Sequence, residues 1–318
     1  MAGTSPRSTA AARMMNFVPP LLDDELMYGL VGRWNARSGF KTPTRFMVAA
    51  FGPTYDVGSA RRSLPVEIKS ACGVALDIGA ATERLTLLPF YRPFMEPALV
   101  KLLCELPRSG ASKPVRLPRV GKLSISSPAL MYCAICCEEQ FRTEGVVTWS
   151  RAHNLPGVST CWAHGCRLGS VMVLSAPILR FVLPPPNPTL LPRASRREHW
   201  YAMLARDHLL AGGDVLTAHQ RAEAWGAVTR SRGESVRSGT FRVAEAFLKA
   251  YPVDFLYQIG IGPSVDAIAQ RIRLLASGRL VASPVFALLL SQVTHDGGIA
   301  GFLRAAAKCP VGEPRPDS

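Results

Sequence analysis

Two short runs decide how this chain is read: Cys133-Ala134-Ile135-Cys136 and, with 24 residues between, Cys161-Trp162-Ala163-His164. Each run is a knuckle whose two-residue spacer can present both of its ligand side chains to one side of a metal ion. Three thiolates and one imidazole complete a tetrahedral zinc site. The alternative is a group of buried thiols under a loop, but paired spacings at this separation seldom arise by accident. Four protein ligands leave no coordination position open for water, so one structural Zn2+ is expected, holding the fold and doing no chemistry. Cys137 and Cys166 stand one and two residues from ligands and are read as non-ligands. His153, between Trp149 and Pro156, is read as a core histidine bonded to backbone, away from either knuckle.

Outward from the knuckles the chain divides by composition. Residues 1–15 carry Arg7 and Arg13 without an acid and form a disordered tail, with Met14 and Met15 as alternative starts. Residues 16–125 are expected to be a helical N-terminal region. There Leu26, Leu30, Val31 and Trp34 repeat at helical spacing, with Asp23, Asp24 and Glu25 read as first-turn capping acids. Ser63-Leu64-Pro65 reads as the start of another helix. Pro89 and Pro93 keep Leu85 to Phe94 from being one regular helix. Residues 126–170 are the zinc module, and 171–198 a stiff linker containing Pro184, Pro185, Pro186, Pro188 and Pro192. Residues 199–308 are a helical domain, with helices over 199–210, 217–232, 235–251, 264–276 and 283–292; residues 309–318 are a tail. The fold class is mainly α with a small zinc-bound β/knuckle module.

Composition bounds the partners. Of 318 residues, 37 are Lys or Arg against 23 Asp or Glu, a formal charge of +14. The excess lies in both halves: 20 basic against 12 acidic residues up to Leu168, and 17 against 11 beyond. An anionic partner follows, nucleic acid ahead of membrane. Thirty of the 37 basic residues are Arg, which codon bias alone can produce, so charge does not settle the function. The longest apolar run, Val281 to Val293, stops at thirteen residues and contains Pro284, too short for a membrane span. Without an export signal the eight cysteines should meet a reducing cytosol, and the expected location is cytoplasmic.

Two basic surfaces compete for nucleic acid. One is the helix pair over 217–251, broken at Gly233, a candidate helix-turn-helix that turns Arg237 and Arg242 outward over a stripe of Phe241, Ala244, Phe247 and Leu248. The other is the connector holding Lys101, Arg108, Lys113, Arg116, Arg119 and Lys122, with Arg193, Arg196 and Arg197 as a further stretch that could track the backbone. Enzyme motifs are missing: no glycine-rich phosphate loop with Lys-Ser/Thr, no His-Glu-x-x-His and no Gly-x-Ser-x-Gly. No catalytic residue is assigned.

The residues around the knuckles carry a resemblance. Tyr132 to Cys136, Glu138-Glu139, Gly145, Trp149, Arg151, His153 to Val158 and Cys161 to Gly165 closely resemble the signature of the TniQ/TnsD family, the target-site selectors of cut-and-paste transposons. Pro20, Asp24-Glu25-Leu26, Tyr28, Arg33, Phe51-Gly52, Ser63-Leu64-Pro65 and the Leu85 to Phe94 segment extend the likeness over about residues 16–170. Ala134 stands where the family usually has Pro, Ser150 where it tends to have His or Arg, and the second Cys/His cluster of some relatives has no counterpart here. The resemblance implies a non-catalytic adaptor that binds double-stranded DNA, or a guide-RNA complex already on it, and recruits an AAA+ ATPase regulator. That regulator then brings the transposase; a homodimer is compatible with the same role. The alternative is a zinc-containing DNA-binding regulator of a mobile element, outside transposition. A structural interaction module without nucleic-acid contact is a third class.

Overall fold

The computed structural model describes residues 18–51, 83–101, 129–172, 181–185, 187–230 and 235–310. The N-terminal tail, the C-terminal tail beyond Pro310, the Ser63-Leu64-Pro65 helix start, Gly233 and the basic positions Arg108, Lys113, Arg116, Arg119 and Lys122 lie outside them. Among the described residues the chain is mainly helical, with one two-stranded sheet.

Helix α1 (Met27–Arg37) buries every residue from Met27 to Trp34. The structure corrects the role of the preceding acids: Leu26 is the N-cap, no side chain caps the helix and its first turn holds no acid. Asp24, with φ at 50°, and Glu25 turn away toward Thr148 and Ala152 instead. Helix α2 (Pro43–Phe51) packs across α1, with the Phe46 ring edge-on to Trp34 at 5.3 Å. Met27, Leu30, Trp34, Phe46, Leu85 and Trp149 share one small apolar core.

The proline-broken segment divides as its chemistry requires. Helix α3 (Leu88–Tyr91) has Pro89 in its first turn, and a 3-10 turn over Arg92–Phe94 has Pro93 in its own, where the missing N–H leaves no hydrogen bond unmade. Strand β1 (Ala129–Tyr132) pairs antiparallel with β2 (Gly169–Met172), Tyr132 opposite Gly169. A Cβ on Gly169 would come 2.5 Å from the tip of the Tyr132 ring, so a larger residue there would have to push that ring aside. Helix α4 (Ala134–Glu144) follows β1 and ends on Gly145 in the left-handed region. A second 3-10 turn spans Ala152–Asn154.

The C-terminal half is α5 (Arg196–Ala211), α6 (Ala218–Arg230), α7 (Val236–Ala250), α8 (Val253–Gln258), α9 (Val265–Ala276), α10 (Pro284–Thr294) and α11 (Gly298–Ala307). Ser195, Ser235, Ser264 and Ser283 each accept the N–H three residues on, the usual N-cap bond. Helices α8 and α11 were not expected: α8 is six residues long and follows Pro252, and α11 opens on Gly297-Gly298, which reads as a breaker. Helices α6, α7 and α9 pack on one another, and α10 lies against α7 and α11. Their core is continuous with the interior of the Cys/His knuckles, since Cys133, Cys161 and Leu168 belong to the same cluster as Tyr201, Phe247 and Phe286.

Candidate metal centre

Cys133 caps α4 in an extended conformation, and its carbonyl accepts the Cys137 N–H at 3.0 Å. Cys136 follows in the first helical turn, so β1 runs into α4 with both sulfurs on one side. The second knuckle is a tight turn. The Cys161 carbonyl accepts the Gly165 N–H at 2.9 Å, Cys161 N–H donates to Cys166 at 2.9 Å, and Gly165 takes φ 65°.

These turns bring the four expected ligands together. Cys133, Cys136 and Cys161 Sγ and one His164 ring nitrogen all lie within 4.8 Å of one another. His164 Nδ1 stands 3.6, 3.4 and 3.4 Å from Cys133, Cys136 and Cys161 Sγ, and the Cys136 and Cys161 sulfurs are 3.6 Å apart. A tetrahedron with zinc bond lengths has edges of about 3.8 Å between sulfurs and about 3.6 Å between sulfur and nitrogen. The residues therefore fit a metal ion, and a soft Cys3His donor set suits zinc among the divalent ions.

Crowding the thiols shifts their protonation. Hydrogen bonds from Cys136 and Cys161 hold Cys133 well below the usual thiol range, and the Cys136 thiol is pushed up by its bond to Cys133. Cys161 rises to about 11, chiefly through its hydrogen bond to Cys133. Burial raises Cys137 and Cys166 to about 12.

Three neighbours complete the surroundings of the cluster; the contacts of Glu139 and His153 escaped the sequence reading, whereas Cys166 was placed near the ligands and read as a non-ligand. Glu139 Oε1 lies 3.4 Å from His164 Nε2, the ring nitrogen turned away from the sulfurs. Its signal was available, because Glu139 stands three residues beyond Cys136 on one helix and so shares its face. His153 is buried as expected, but it is not remote from the knuckles: its Nε2 is 3.9 Å from Cys136 Sγ, and burial lowers its pKa. Cys166 Sγ lies 3.4 Å from Cys133 Sγ. No sequence spacing distinguishes either contact from an ordinary buried side chain.

The TniQ family model matches residues 16–168. This part of the chain is a TniQ domain. No curated protein matches the chain.

Within the TniQ domain the residues of the resemblance are mostly clamps. Asn154 accepts the Met131 N–H at 3.0 Å and donates to the carbonyls of Met131 and Ser150, tying the 3-10 turn to β1. Trp149 Nε1 donates to Val182 at 2.8 Å, and Pro156 accepts from the Tyr201 hydroxyl at 2.9 Å. Arg151 Nη1 donates to the carbonyls of Glu83 and Thr86, and its Nε lies 3.3 Å from Asp24. Glu25 is completely buried; it pairs with Arg33, itself 3% exposed, and accepts from Thr148 at 2.7 Å. The TniQ domain ties the chain to transposition.

Of the expected DNA-contacting residues, Arg237 and Arg242 lie among the described residues, both on α7. Arg237 is exposed at the start of α7, whereas Arg242 is half-buried and engaged. On α7 the buried stripe is Gly239, Thr240, Val243, Ala244 and Phe247, so Phe241 and Leu248 lie at its edge. Lys101 is exposed in a helical turn. Among the described residues no helix is long and apolar enough to cross a membrane.

Proposed function

We propose that the chain is a non-catalytic target-site adaptor of a transposition system: it docks on duplex DNA, or on a guide complex already seated there, and recruits an AAA+ transposition regulator. The observation that carries this reading is a TniQ domain whose three thiolates and imidazole are already grouped for a tetrahedral ion. Cys133, Cys136, Cys161 and His164 would hold one Zn2+, which when bound cross-links the two knuckles. All four donors come from the protein, so the site serves rigidity; no residue is assigned a catalytic role.

The surface chemistry supports an adaptor. A chain of charge +14 attracts polyanions, yet α4 is net acidic: Glu138, Glu139 and Glu144 are exposed there against one exposed cation, Arg142, beside Phe141, which is 64% exposed. A face of that kind repels phosphate and suits a protein, so nucleic acid and regulator would occupy different sides. The location implied is the cytoplasm, where the donor thiols stay reduced.

Three measurements on the purified chain test the reading: metal content, enrichment from a random duplex pool, and capture of an AAA+ transposition ATPase. About one zinc per chain, salt-sensitive DNA binding and ATPase capture are expected. A folded, metal-free protein that captures neither DNA nor ATPase would overturn it.

A further inference from the structure

Where the second knuckle meets the N-terminal end of α5, two segments 26 residues apart run side by side. Arg167 N–H donates to Pro192 and Ala194 N–H to Gly165, both at 2.9 Å, and Cys166 bridges Arg193 in antiparallel fashion. His199 packs over Gly165 and its Nε2 lies 2.7 Å from the Trp162 carbonyl, so α5 is fastened to the knuckle. The result is a corner carrying Arg167, Arg193, Arg196 and Arg197, all exposed. The acid at this corner, Glu198, is 6% exposed and already occupied: it accepts the Ser195 N–H at 2.8 Å and faces Arg167 at 3.7 Å.

We propose that these four arginines form a surface that binds the phosphate backbone of duplex DNA. The proposal rests on the reading that the chain touches DNA directly, and it assigns that contact to a place. Arg193 and Arg196 have no side-chain partner among the described residues. The Arg197 guanidinium lies 5.3 Å from the Trp200 ring centroid and 5.6 Å from that of Tyr251, which fixes its plane and leaves its N–H edge available. Helix stability does not explain the pair at 196–197, because cations in a first turn oppose the macrodipole. A phosphate at the corner reverses that penalty. None of residues 165–167 or 193–197 is an exposed large apolar side chain, the anchor that protein partners commonly use.

The test is binding of a labelled random-sequence duplex across a salt series, comparing the wild-type chain with an Arg193→Ser/Arg196→Ser double variant of unchanged metal content and melting temperature. The variant should bind all sequences more weakly, and its log-log salt dependence should be shallower by roughly 0.9 for each phosphate it no longer neutralises. Arginine-selective dicarbonyl footprinting of the wild-type chain reads the same surface without mutation, and DNA should shield Arg193 and Arg196. Wild-type binding with an unchanged variant slope, or no shielding, overturns the surface but leaves direct DNA contact standing. Slope loss confined to Arg237→Ser moves the contact to α7 and also overturns it. Loss of ATPase capture with DNA binding intact makes the corner a protein surface, a third way for it to fail. A wild-type chain that binds no duplex overturns both the surface and direct contact.

Discussion

Glu139 Oε1 and His164 Nε2 lie 3.4 Å apart on the outer side of the Cys/His cluster, while His164 Nδ1 faces the three sulfurs. A carboxylate behind a ligating imidazole fixes its tautomer and raises its basicity. Glu139→Ala should therefore weaken zinc binding by about 10- to 100-fold, and Glu139→Gln by less, since the amide oxygen still accepts the proton. Chelator competition, with the absorption of the cobalt-substituted protein as a second readout, measures this. Affinity unchanged in both variants would place Glu139 outside the metal's surroundings.

Replacing Cys161 or Cys133 by Ser should release the metal and unfold the region between β1 and β2, because ligation in small zinc modules contributes on the order of 10 kcal/mol. Cys166→Ser should keep one zinc per chain although that sulfur lies beside Cys133. Cys309→Ser, whose thiol reaches only the Ala305 carbonyl, should change nothing. Metal analysis and limited proteolysis report the outcome, and a Cys166→Ser protein without zinc would enlarge the ligand set.

The buried Glu25–Arg33 pair gives a test of the N-terminal core. Removing either partner strands a charge away from water, so Glu25→Ala or Arg33→Met should each lower stability by about 3–5 kcal/mol. The double variant should be far less destabilised than the sum. Denaturant titration of all four proteins closes the cycle, and additive losses would show that the two side chains are not coupled.

His208 links stability to pH. It is 2% exposed, its Nε2–H donates to the Phe90 carbonyl at 3.1 Å, and burial holds its pKa near 4 rather than 6.5. Below pH 6.5 the unfolded chain takes up a proton that the folded chain refuses. This contribution to stability is therefore constant above that pH and falls as the pH drops toward 4, by at most about 3 kcal/mol. Comparing wild type with His208→Gln isolates it from acid loss of zinc. Parallel pH profiles would remove the assignment.

Gly239 lies where α6 and α7 touch, and a Cβ there would stand 2.0 Å from the Thr229 carbonyl oxygen. Backbone cannot yield as a side chain does. Gly239→Ala should thus lower stability by about 1–3 kcal/mol despite its better helix propensity. A rise in melting temperature would mean that the two helices sit farther apart.

The knuckles were legible because ligand spacing is a local property: Cys133, Cys136, Cys161 and His164 converge as their intervals require. Apolar spacing likewise located α5, α6, α7, α9 and α10 to within a few residues. What could not be read was pairing at long range. Asp23 to Glu25 look like capping acids because a first-turn role is the local explanation, whereas Glu25 is matched to Arg33 and Thr148, the latter 123 residues away. His153 next to Cys136 is illegible for the same reason. The expected stripe on α7 holds at Ala244 and Phe247, which are fully buried. Phe241 and Leu248 sit at its edge because the packing of α9, far along the chain, centres the stripe on Val243, Ala244 and Phe247.

Asp24 accepts hydrogen bonds from Ser150 and from the backbone of Ala152, and Glu25 bridges Ser150 across the sheet-like seam. Anyone building chimaeras from this chain should consequently carry residues 18–26 together with the finger, and the seam at residues 192–199 as well. A finger excised at its own cysteines would leave behind the clasp that closes it, so this metal centre is not the portable cassette that its knuckle spacing suggests.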